Sequence, residues 1–259
     1  IRHRPGMPST LGLIPALLLC LALPAHAGGT DSPPALEGQW ARKVVLTSIS
    51  RPPIIGKIVS RTITYQTIDL KQTGREVVLE PQTCDLSIET NFDAVRTTIP
   101  ERFIRAIPNQ TRNGLIVAAE EGPELRVMRN LSVLGAELRA PRSEFLPDSS
   151  TDPRLVDADG DGKPGVTVEI SGLVSGKVYL VQRAWDRWSG PVDSERRVSG
   201  LVDWKTEQSV VGSSSIFLGE GPDTRRHPDD ERSYFEMVRI PSTADCSYVT
   251  SNEETLFEK

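Results

Sequence analysis

Apolar and polar residues alternate with a period of two along much of this chain, and this alternation limits the possible folds more than any other feature. The hexapeptide at 84–89, Cys-Asp-Leu-Ser-Ile-Glu, alternates throughout. From 198 to 210, valines and a tryptophan occupy even-numbered positions and charged residues occupy odd-numbered positions, so the two kinds have opposite parity. Neighbouring side chains of a β-strand point to opposite faces of the sheet. The pattern therefore predicts strands that are buried on one face.

Further strands and the turns between them follow from the same pattern. Strand-like runs cover 40–48, 58–70, 125–133, 166–170, 178–185 and 234–240. Turn-forming residues at 72–74, 189–191 and 219–222 separate such runs. Only residues 100–107 have a convincing helical pattern. The sequence predicts an all-β fold, an antiparallel barrel or sandwich with one short helix and long loops.

The first 27 residues have the features of a signal peptide. Arg2 and Arg4 precede an apolar run at 11–23, and residues 25–27, Ala-His-Ala, form a small-x-small cleavage pattern. The run is too short to remain as a transmembrane helix. We expect a signal peptide at 1–27, a flexible lead at 28–35 and a β-domain at 36–259. A proline- and aspartate-rich segment at 141–165 marks a possible division of that domain.

Removal of the predicted signal peptide changes the charge and the cysteine content. Without Arg2 and Arg4, 28 basic residues remain against 35 acidic ones, a net charge of about −7. An acidic chain without a basic run is poorly suited to nucleic acid, so we predict no nucleic-acid partner. Cys20 is also removed, which leaves Cys84 and Cys246. In an oxidising compartment these two are expected to form one disulfide.

The stretch from 157 to 165, Asp-Ala-Asp-Gly-Asp-Gly-Lys-Pro-Gly, has the most specific chemistry. Asp157, Asp159 and Asp161 alternate with small residues, and Gly162 allows a turn after the third carboxylate. Ca²⁺ takes such carboxylates as ligands together with backbone carbonyls, here that of Lys163. Without a cation the three carboxylates would repel one another at neutral pH.

This loop resembles the calcium loops of EF-hand, dockerin and thrombospondin type 3 proteins. It departs from the EF-hand at position 12, which is Val168, because Glu169 comes one place later. Glu169, or a carboxylate from Asp148 or Asp152, would complete the coordination. We predict a structural Ca²⁺ site whose ligands are Asp157, Asp159, Asp161, Lys163 and Glu169. The alternative is a solvated turn that binds no ion.

A second, shorter motif lies near the start of the predicted domain. Gly38-Gln39-Trp40 resembles the Gly-x-Trp start of the first strand in lipocalins and related small barrels. The resemblance implies that Trp40 closes one end of a barrel. The alternative is a core tryptophan in an ordinary β-domain.

Trp185 and Trp188 are candidate ligand-binding residues. They lie three residues apart before a predicted polar turn, so their side chains should face opposite ways. An exposed Trp188 beside Asp186 and Arg187 would suit the stacking of a sugar ring. The alternative is that both tryptophans belong to the core or to a barrel rim.

No arrangement of residues predicts a catalytic centre. His227 lies in a charged run, 223–232, which does not provide the rigid imidazole of a serine triad. The chain has no Gly-x-Ser-x-Gly motif. A carboxylate pair for glycoside hydrolysis stays open, but no spacing singles one out among 35 acidic residues. We therefore name no catalytic residue and favour a protein that is not an enzyme.

Together these features predict an exported protein of the periplasm, cell surface or extracellular space, of a kind with the uncharacterised secreted proteins of bacteria. Its expected role is that of a calcium-stabilised, non-enzymatic binding or envelope-associated module without a transmembrane segment. The partner would be a small molecule, a glycan or an envelope protein. The alternatives are a glycan-acting hydrolase with an unidentified carboxylate pair and a purely structural envelope component.

Overall fold

The computed structural model of the chain describes residues 32–51, 56–219 and 223–257. The predicted signal peptide (1–27) and the first half of the predicted lead (28–31 of 28–35) lie outside these residues. The chain divides into two units, 1–32 and 33–259, and every helix and strand described below belongs to the second. The elements are as follows. The strands are β1 Gly38–Ser50, β2 Ile58–Thr73, β3 Glu76–Thr90, β4 Val95–Thr98, β5 Arg112–Ala119, β6 Gly122–Leu134, β7 Val166–Gly172, β8 Gly176–Pro191, β9 Arg197–Ser213, β10 Thr224–Arg226 and β11 Tyr234–Arg239, and the helices are α1 Glu101–Ala106, α2 Cys246–Ser251 and α3 Glu253–Phe257.

Eight of the strands form a hydrogen-bonded ring. The order around it is β1, β2, β3, β5, β6, β8, β9 and β11, and β11 pairs with β1 again. Every pairing is antiparallel, and the strands follow chain order around the ring. The predicted all-β antiparallel fold is therefore confirmed, in the form of a barrel.

The other three strands extend this ring rather than complete it. β7 pairs with the first part of β8, at 176–180, whereas β6 pairs with the later part, at 182–191. β4 continues the sheet beyond β7, and β10 pairs with the end of β1. The length of β8 thus lets one strand serve both the ring and its extension.

Alternate residues of each strand point into the barrel, as the period-two pattern predicts. At one end these residues are apolar and each is exposed by 1% or less; we call this the filled end. It contains Leu36, Trp40, Ile68, Leu70, Val77, Leu79, Ile116, Leu125, Val198, Phe235 and Met237. Burial of this much apolar surface is the main stabilising contribution to the barrel.

The C-terminal helices cover the outer face of β1 and β2. Val249 of α2 and Phe257 of α3 pack with Val45 and Tyr65 in a second apolar cluster. The predicted disulfide is confirmed, because Cys84 of β3 is bonded to Cys246 at the start of α2.

A β-bulge places Cys84 for this bond. Tyr65 pairs with Asp85, but the next residue, Gln66, pairs with Thr83, so Cys84 is an additional residue in β3. A bulge bends the strand and redirects the side chain of the extra residue.

The segment at 141–165 packs on the barrel. Its residues Leu146 and Leu155 contact a cluster that contains Val181 of β8 and Val211 of β9. The predicted helix is also confirmed as α1, which buries Phe103 against β7 and β8.

The predicted turn at 189–191 is wrong, because β8 continues through these residues to Pro191. A side-chain carbon on Gly190 would lie 1.9 Å from the backbone oxygen of Ser199, and one on Gly200 would lie 2.2 Å from that of Ser189. Glycine is therefore required where β8 and β9 approach closely, which is a common reason for glycine inside a strand.

Candidate functional site

The three aspartates of the predicted metal loop lie together in space. One carboxylate oxygen from each of Asp157, Asp159 and Asp161 falls within 4.8 Å of the others. Gly160 and Gly162 have φ angles of 68° and 79°, which glycine adopts without strain and which curl the loop. Ca²⁺–oxygen distances are about 2.3–2.6 Å, so ligand atoms on opposite sides of one ion are about 5 Å apart. The spacing of the aspartates fits a shared cation.

Backbone and side-chain donors from the same region orient the carboxylates. Asp157 accepts hydrogen bonds from the amides of Asp161 and Gly162, at 3.0 and 2.8 Å. Asp159 accepts from the amide of Thr167 at 2.9 Å, and Asp161 accepts from the hydroxyl of Thr167 at 2.8 Å. Thr167 is the second residue of β7, so these hydrogen bonds join the strand to the loop.

Of the three carboxylates, Asp159 has the least favourable surroundings for its negative charge. Burial raises its pKa, and the neighbouring carboxylates Asp161 and Asp157 add to this, whereas the Thr167 amide and Arg102 oppose it. Its buried Oδ1 has no hydrogen-bond partner among the described residues. A cation would supply that partner and relieve the repulsion between the carboxylates.

The other predicted ligands are placed differently. Glu169 lies on β7, where its carboxylate is 3.5 Å from the ammonium of Lys177. The set of described carboxylates close enough to share one ion consists of the three aspartates and does not include Glu169. Asp152 pairs with Arg154, which lowers the pKa of Asp152 to about 2. The amide of Lys163 donates to Asp161.

The barrel interior beyond the filled end contains a second candidate site, a cavity of about 120 Å³. We call this part of the barrel the cavity end. Both apolar and polar side chains line it, unlike the filled end. It is lined by Arg42, Val44, Leu46, Thr64, Gln66, Ala184, Trp185, Asp186, Trp188, Val202, Trp204 and Thr206. Small-molecule sites in proteins typically combine such apolar walls with a few polar groups.

Arg42 is the most unusual residue of this cavity. It is 5% exposed and has the same parity in β1 as Trp40 and Val44, so its guanidinium lies inside the barrel. Nε donates to the amide oxygen of Gln66 at 2.9 Å, Nη2 donates to the same oxygen, and the guanidinium carbon lies 4.6 Å from the ring centre of Trp188. None of the ion pairs among the residues with a described position includes Arg42.

Burial lowers the pKa of Arg42 to about 9, with a further lowering by Arg112 and an opposing effect of Asp186. Arg42 is therefore still cationic at neutral pH, inside the barrel and without a carboxylate in contact. A buried charge without an ion-pair partner lowers the stability of the folded protein.

Arg112, the second buried arginine, is paired with a carboxylate. Its Nη1 and Nη2 donate to Oδ1 and Oδ2 of Asp186 at 3.2 and 2.9 Å. Nη2 also donates to the backbone oxygens of Met128 and Asp186. Among the described residues, this part of the interior thus holds two buried arginines and one carboxylate, and the unmatched positive charge is that of Arg42.

The two candidate tryptophans lie in different environments, and Trp188 is not the exposed ring of the sugar-stacking interpretation. Trp188 is 3% exposed and its ring lies 4.6 Å from that of Phe235 inside the barrel. Its buried Nε1 has no hydrogen-bond partner in the part of the chain that the structure describes. Trp185 is partly buried and stacks with Arg129, whose guanidinium lies 3.6 Å from its ring centre. Both border the cavity, Trp188 from the barrel core.

Trp40 lies at the filled end and is completely buried. Its Nε1 donates to the oxygen of Leu36 at 2.8 Å, and the guanidinium of Arg239 lies 4.7 Å from its ring centre. Arg239 donates to the backbone oxygens of Ala35, Glu37 and Glu195. The donors of this tryptophan and arginine are thus matched by acceptors.

A larger, polar groove of about 380 Å³ lies on the outside of β2 and β3 and is bordered by Asp69 and Glu80. These carboxylates pair across the strands, and the Lys71 ammonium lies 3.9 Å from Asp69 and 2.9 Å from Glu80. Both are about half exposed, at 51% and 46%. A glycosidase acid is typically buried or placed next to a second carboxylate, whereas these two carboxylates are half exposed and share a lysine. The groove does not favour the hydrolase alternative.

Sequence reasoning missed Arg42, although a signal for it was present. Trp40, Arg42, Val44 and Leu46 share one parity. An arginine at a strand position whose neighbours two residues away are apolar indicates a charged side chain that points into the core.

No protein-family model and no curated protein sequence matches this chain. Among the described residues, no helix is both long and apolar enough to cross a membrane. The function therefore has to be argued from the two sites themselves.

Proposed function

We propose that this protein is an exported, non-enzymatic binding module that holds a small ligand in the cavity end of its barrel. The observation that carries the proposal is the contrast inside the barrel. The filled end is packed with apolar side chains, whereas the cavity end keeps an open space of about 120 Å³ lined by both apolar and polar groups. Protein interiors are normally close-packed, so a space of this kind that also has polar walls favours a ligand.

Export is supported by the leader-like first 27 residues and by the disulfide between Cys84 and Cys246. Disulfides persist in oxidising compartments and are rare in the cytosol. The periplasm, the cell surface and the extracellular space all provide such conditions.

A barrel of lipocalin type fits the same proposal. The eight strands follow chain order around the ring, and Trp40 of the Gly-x-Trp motif is buried at one end of it. Both features support the resemblance, and ligand binding inside the barrel would follow from it.

We further propose that Ca²⁺ orders the loop of Asp157, Asp159 and Asp161. The spacing of the carboxylates and the unpartnered Oδ1 of Asp159 support this role. The ion would be structural, because the loop packs near β7 and borders neither the cavity nor the groove.

The cavity proposal is tested with a panel of small organic compounds of neutral, cationic and anionic character. Binding is measured by NMR shifts of the tryptophan indole groups in the mature protein. We expect at least one class to shift the signals of Trp188 and Trp204, which line the cavity, and to leave that of Trp40 in place.

The matched variants for this experiment are Ala184→Leu and Ala119→Leu. Ala184 lines the cavity, so a larger side chain there should remove binding. Ala119 is exposed at the end of β5, so the same change should have no effect on binding. If no class of compound shifts either cavity tryptophan, or if Ala184→Leu binds like the unchanged protein, the cavity is not a ligand site.

The calcium proposal is tested by thermal unfolding with Ca²⁺ and with excess EDTA. We expect chelation to lower the melting temperature of the unchanged protein by several degrees, since an ion bound only by the folded state stabilises it. The double variant Asp159→Ala/Asp161→Ala should show no difference between the two conditions. Glu120→Ala/Glu121→Ala removes the same charge from exposed positions and should retain the effect. Equal melting of the unchanged protein in both conditions would identify the loop as an ordinary turn.

A further inference from the structure

Two buried hydrogen-bond donors at or beside the cavity end have no partner among the described residues. They are Nε1 of Trp188, which lines the cavity, and Nε of Arg112, whose other nitrogens bond to the cavity residue Asp186. Among the hydrogen bonds of the described residues, Arg42 donates to a neutral acceptor, the amide oxygen of Gln66. Native proteins pair nearly all of their buried polar groups, so unpaired donors gathered in one place call for an acceptor from outside.

The charges in the barrel interior also favour an acceptor that carries a negative charge. Asp186 neutralises Arg112 through two hydrogen bonds, and Arg42 is left as the cation that lines the cavity without a counter-ion in contact. One negative charge in the cavity would complete both the charge balance and the hydrogen bonding.

We propose that the cavity end binds a small monocarboxylate, with its carboxylate on the guanidinium of Arg42 and within reach of the indole Nε1 of Trp188. This assignment rests on the proposed ligand cavity and names the chemistry of its ligand. A guanidinium presents its N–H groups in a planar fork that matches a carboxylate, and such charged hydrogen bonds are about twice as strong as neutral ones.

The walls and the volume of the cavity define the rest of the ligand. Val44, Leu46, Val202 and Trp204 provide apolar surface beside the polar groups. An apolar cavity of about 150 Å³ accommodates benzene, and the space here is about 120 Å³. The ligand is therefore a short aliphatic carboxylate, or the carboxylate end of a larger molecule, such as a single-ring carboxylate, that extends out of the barrel.

A monoanion suits the cavity better than phosphate or sulfate. A single unmatched charge is present, and a doubly charged anion would leave one negative charge buried beside Asp186. The apolar walls would also offer nothing to the remaining oxygens of a phosphate.

The experiment measures binding of benzoate, of its neutral analogue benzamide and of inorganic phosphate by calorimetry, in a buffer without carboxylates. We expect benzoate to bind at least tenfold more tightly than benzamide, and phosphate to bind no better than benzamide. Benzoate should also move the indole N–H signal of Trp188 in NMR spectra, because a carboxylate becomes its acceptor.

Arg42→Met removes the charge and keeps a side chain of similar length, and should abolish the preference for benzoate over benzamide. Arg129→Met is its matched control, because Arg129 also stacks on a tryptophan of β8 but pairs with Trp185 and not with Trp188. It should bind benzoate like the unchanged protein. Arg42→Lys keeps the charge without the planar fork, and should show a weaker but measurable preference. Circular dichroism measures whether each variant is folded. If Arg42→Met does not fold, the preference of Arg42→Lys for benzoate over benzamide decides whether Arg42 binds the carboxylate.

The outcomes separate the ligand class from the existence of the site. If benzamide binds as tightly as benzoate, or if Arg42→Met keeps the preference, the carboxylate assignment is wrong and the cavity proposal stands. If neither compound binds and the wider panel also leaves Trp188 and Trp204 unshifted, the ligand cavity itself is wrong. Tighter binding of phosphate than of benzoate would identify an oxyanion site of a different class.

Discussion

The two ends of the barrel contain the same pair of residue types in opposite states. At the filled end Arg239 stacks on Trp40, and both find acceptors, the tryptophan on Leu36 and the arginine on three backbone oxygens. At the cavity end Arg42 stacks on Trp188 at nearly the same distance, 4.6 Å instead of 4.7 Å. There, among the described residues, the Trp188 Nε1 has no hydrogen-bond partner and the Arg42 guanidinium donates to the amide oxygen of Gln66.

The comparison separates a structural pair from one that is free to bind. Where every donor is matched, the pair closes the barrel and contributes to stability. Where donors are left over beside an open space, the pair keeps its capacity for an external acceptor at a cost in stability. Four changes test this distinction, from the largest expected effect to the smallest.

The same Leu→Ala change at each end should have the largest and most unequal effects. Leu79 is completely buried at the filled end, so Leu79→Ala should destabilise the protein by about 3–5 kcal/mol through lost burial and a new cavity. Leu46 is partly buried beside space that is already open, so Leu46→Ala should cost about 1 kcal/mol. Urea unfolding measures both. Equal losses would mean that the two ends are equally packed in solution.

Removal of the Asp186 charge should come next. Asp186→Asn leaves Arg112 and Arg42 buried together without an anion, and we expect a loss of about 2–3 kcal/mol. Asp203→Asn is the matched control, since Asp203 has the same side-chain exposure of 34% but pairs with the more exposed Arg187 and Arg226. Its loss should stay below about 1 kcal/mol. Similar losses in the two variants would show that the cavity end is well solvated.

The two arginines should respond in opposite directions to the same substitution. Arg239→Met removes hydrogen bonds to three backbone oxygens and should destabilise by about 1–2 kcal/mol. Arg42→Met removes a buried charge without an ion pair, so the melting temperature should stay unchanged or rise. A destabilisation by Arg42→Met as large as that by Arg239→Met would contradict the view that the cavity end is held open at a cost.

The smallest effect concerns alkaline pH. The pKa of Arg42 is about 9 in the folded protein, below its ordinary value of 12.5, so above pH 9 the unfolded state binds more protons. The stability of the unchanged protein relative to Arg42→Met should then rise with pH above about 9, by at most about 1 kcal/mol per unit. The difference between the two proteins is measured because burial, with Glu253, raises the pKa of Tyr65 to about 12 in both. A difference that stays constant up to pH 10 would place Arg42 in contact with solvent.

The sequence by itself determined the fold class, the disulfide and parts of eight of the eleven described strands, but not β4, β5 and β10. Period-two alternation is a local property, because each strand has one apolar parity wherever its partner lies. The pairing of Cys84 with Cys246 followed from counting the cysteines that remain in an exported chain. The three aspartates of the predicted metal loop are close in the chain, so their proximity in space was also predictable.

Only the tertiary structure decided what the interior of the barrel contains. Gly190 belongs to a strand because Ser199 and Gly200 of β9 approach it closely, which no local pattern records. Trp188 is buried because the barrel closes around it, and Asp186 is paired because Arg112 comes from a strand 74 residues earlier. Parity places Arg42 inside, but whether its charge is matched depends on residues brought from distant strands. The unmatched charge at the cavity end is for this reason a property of the closed barrel and not of any one segment.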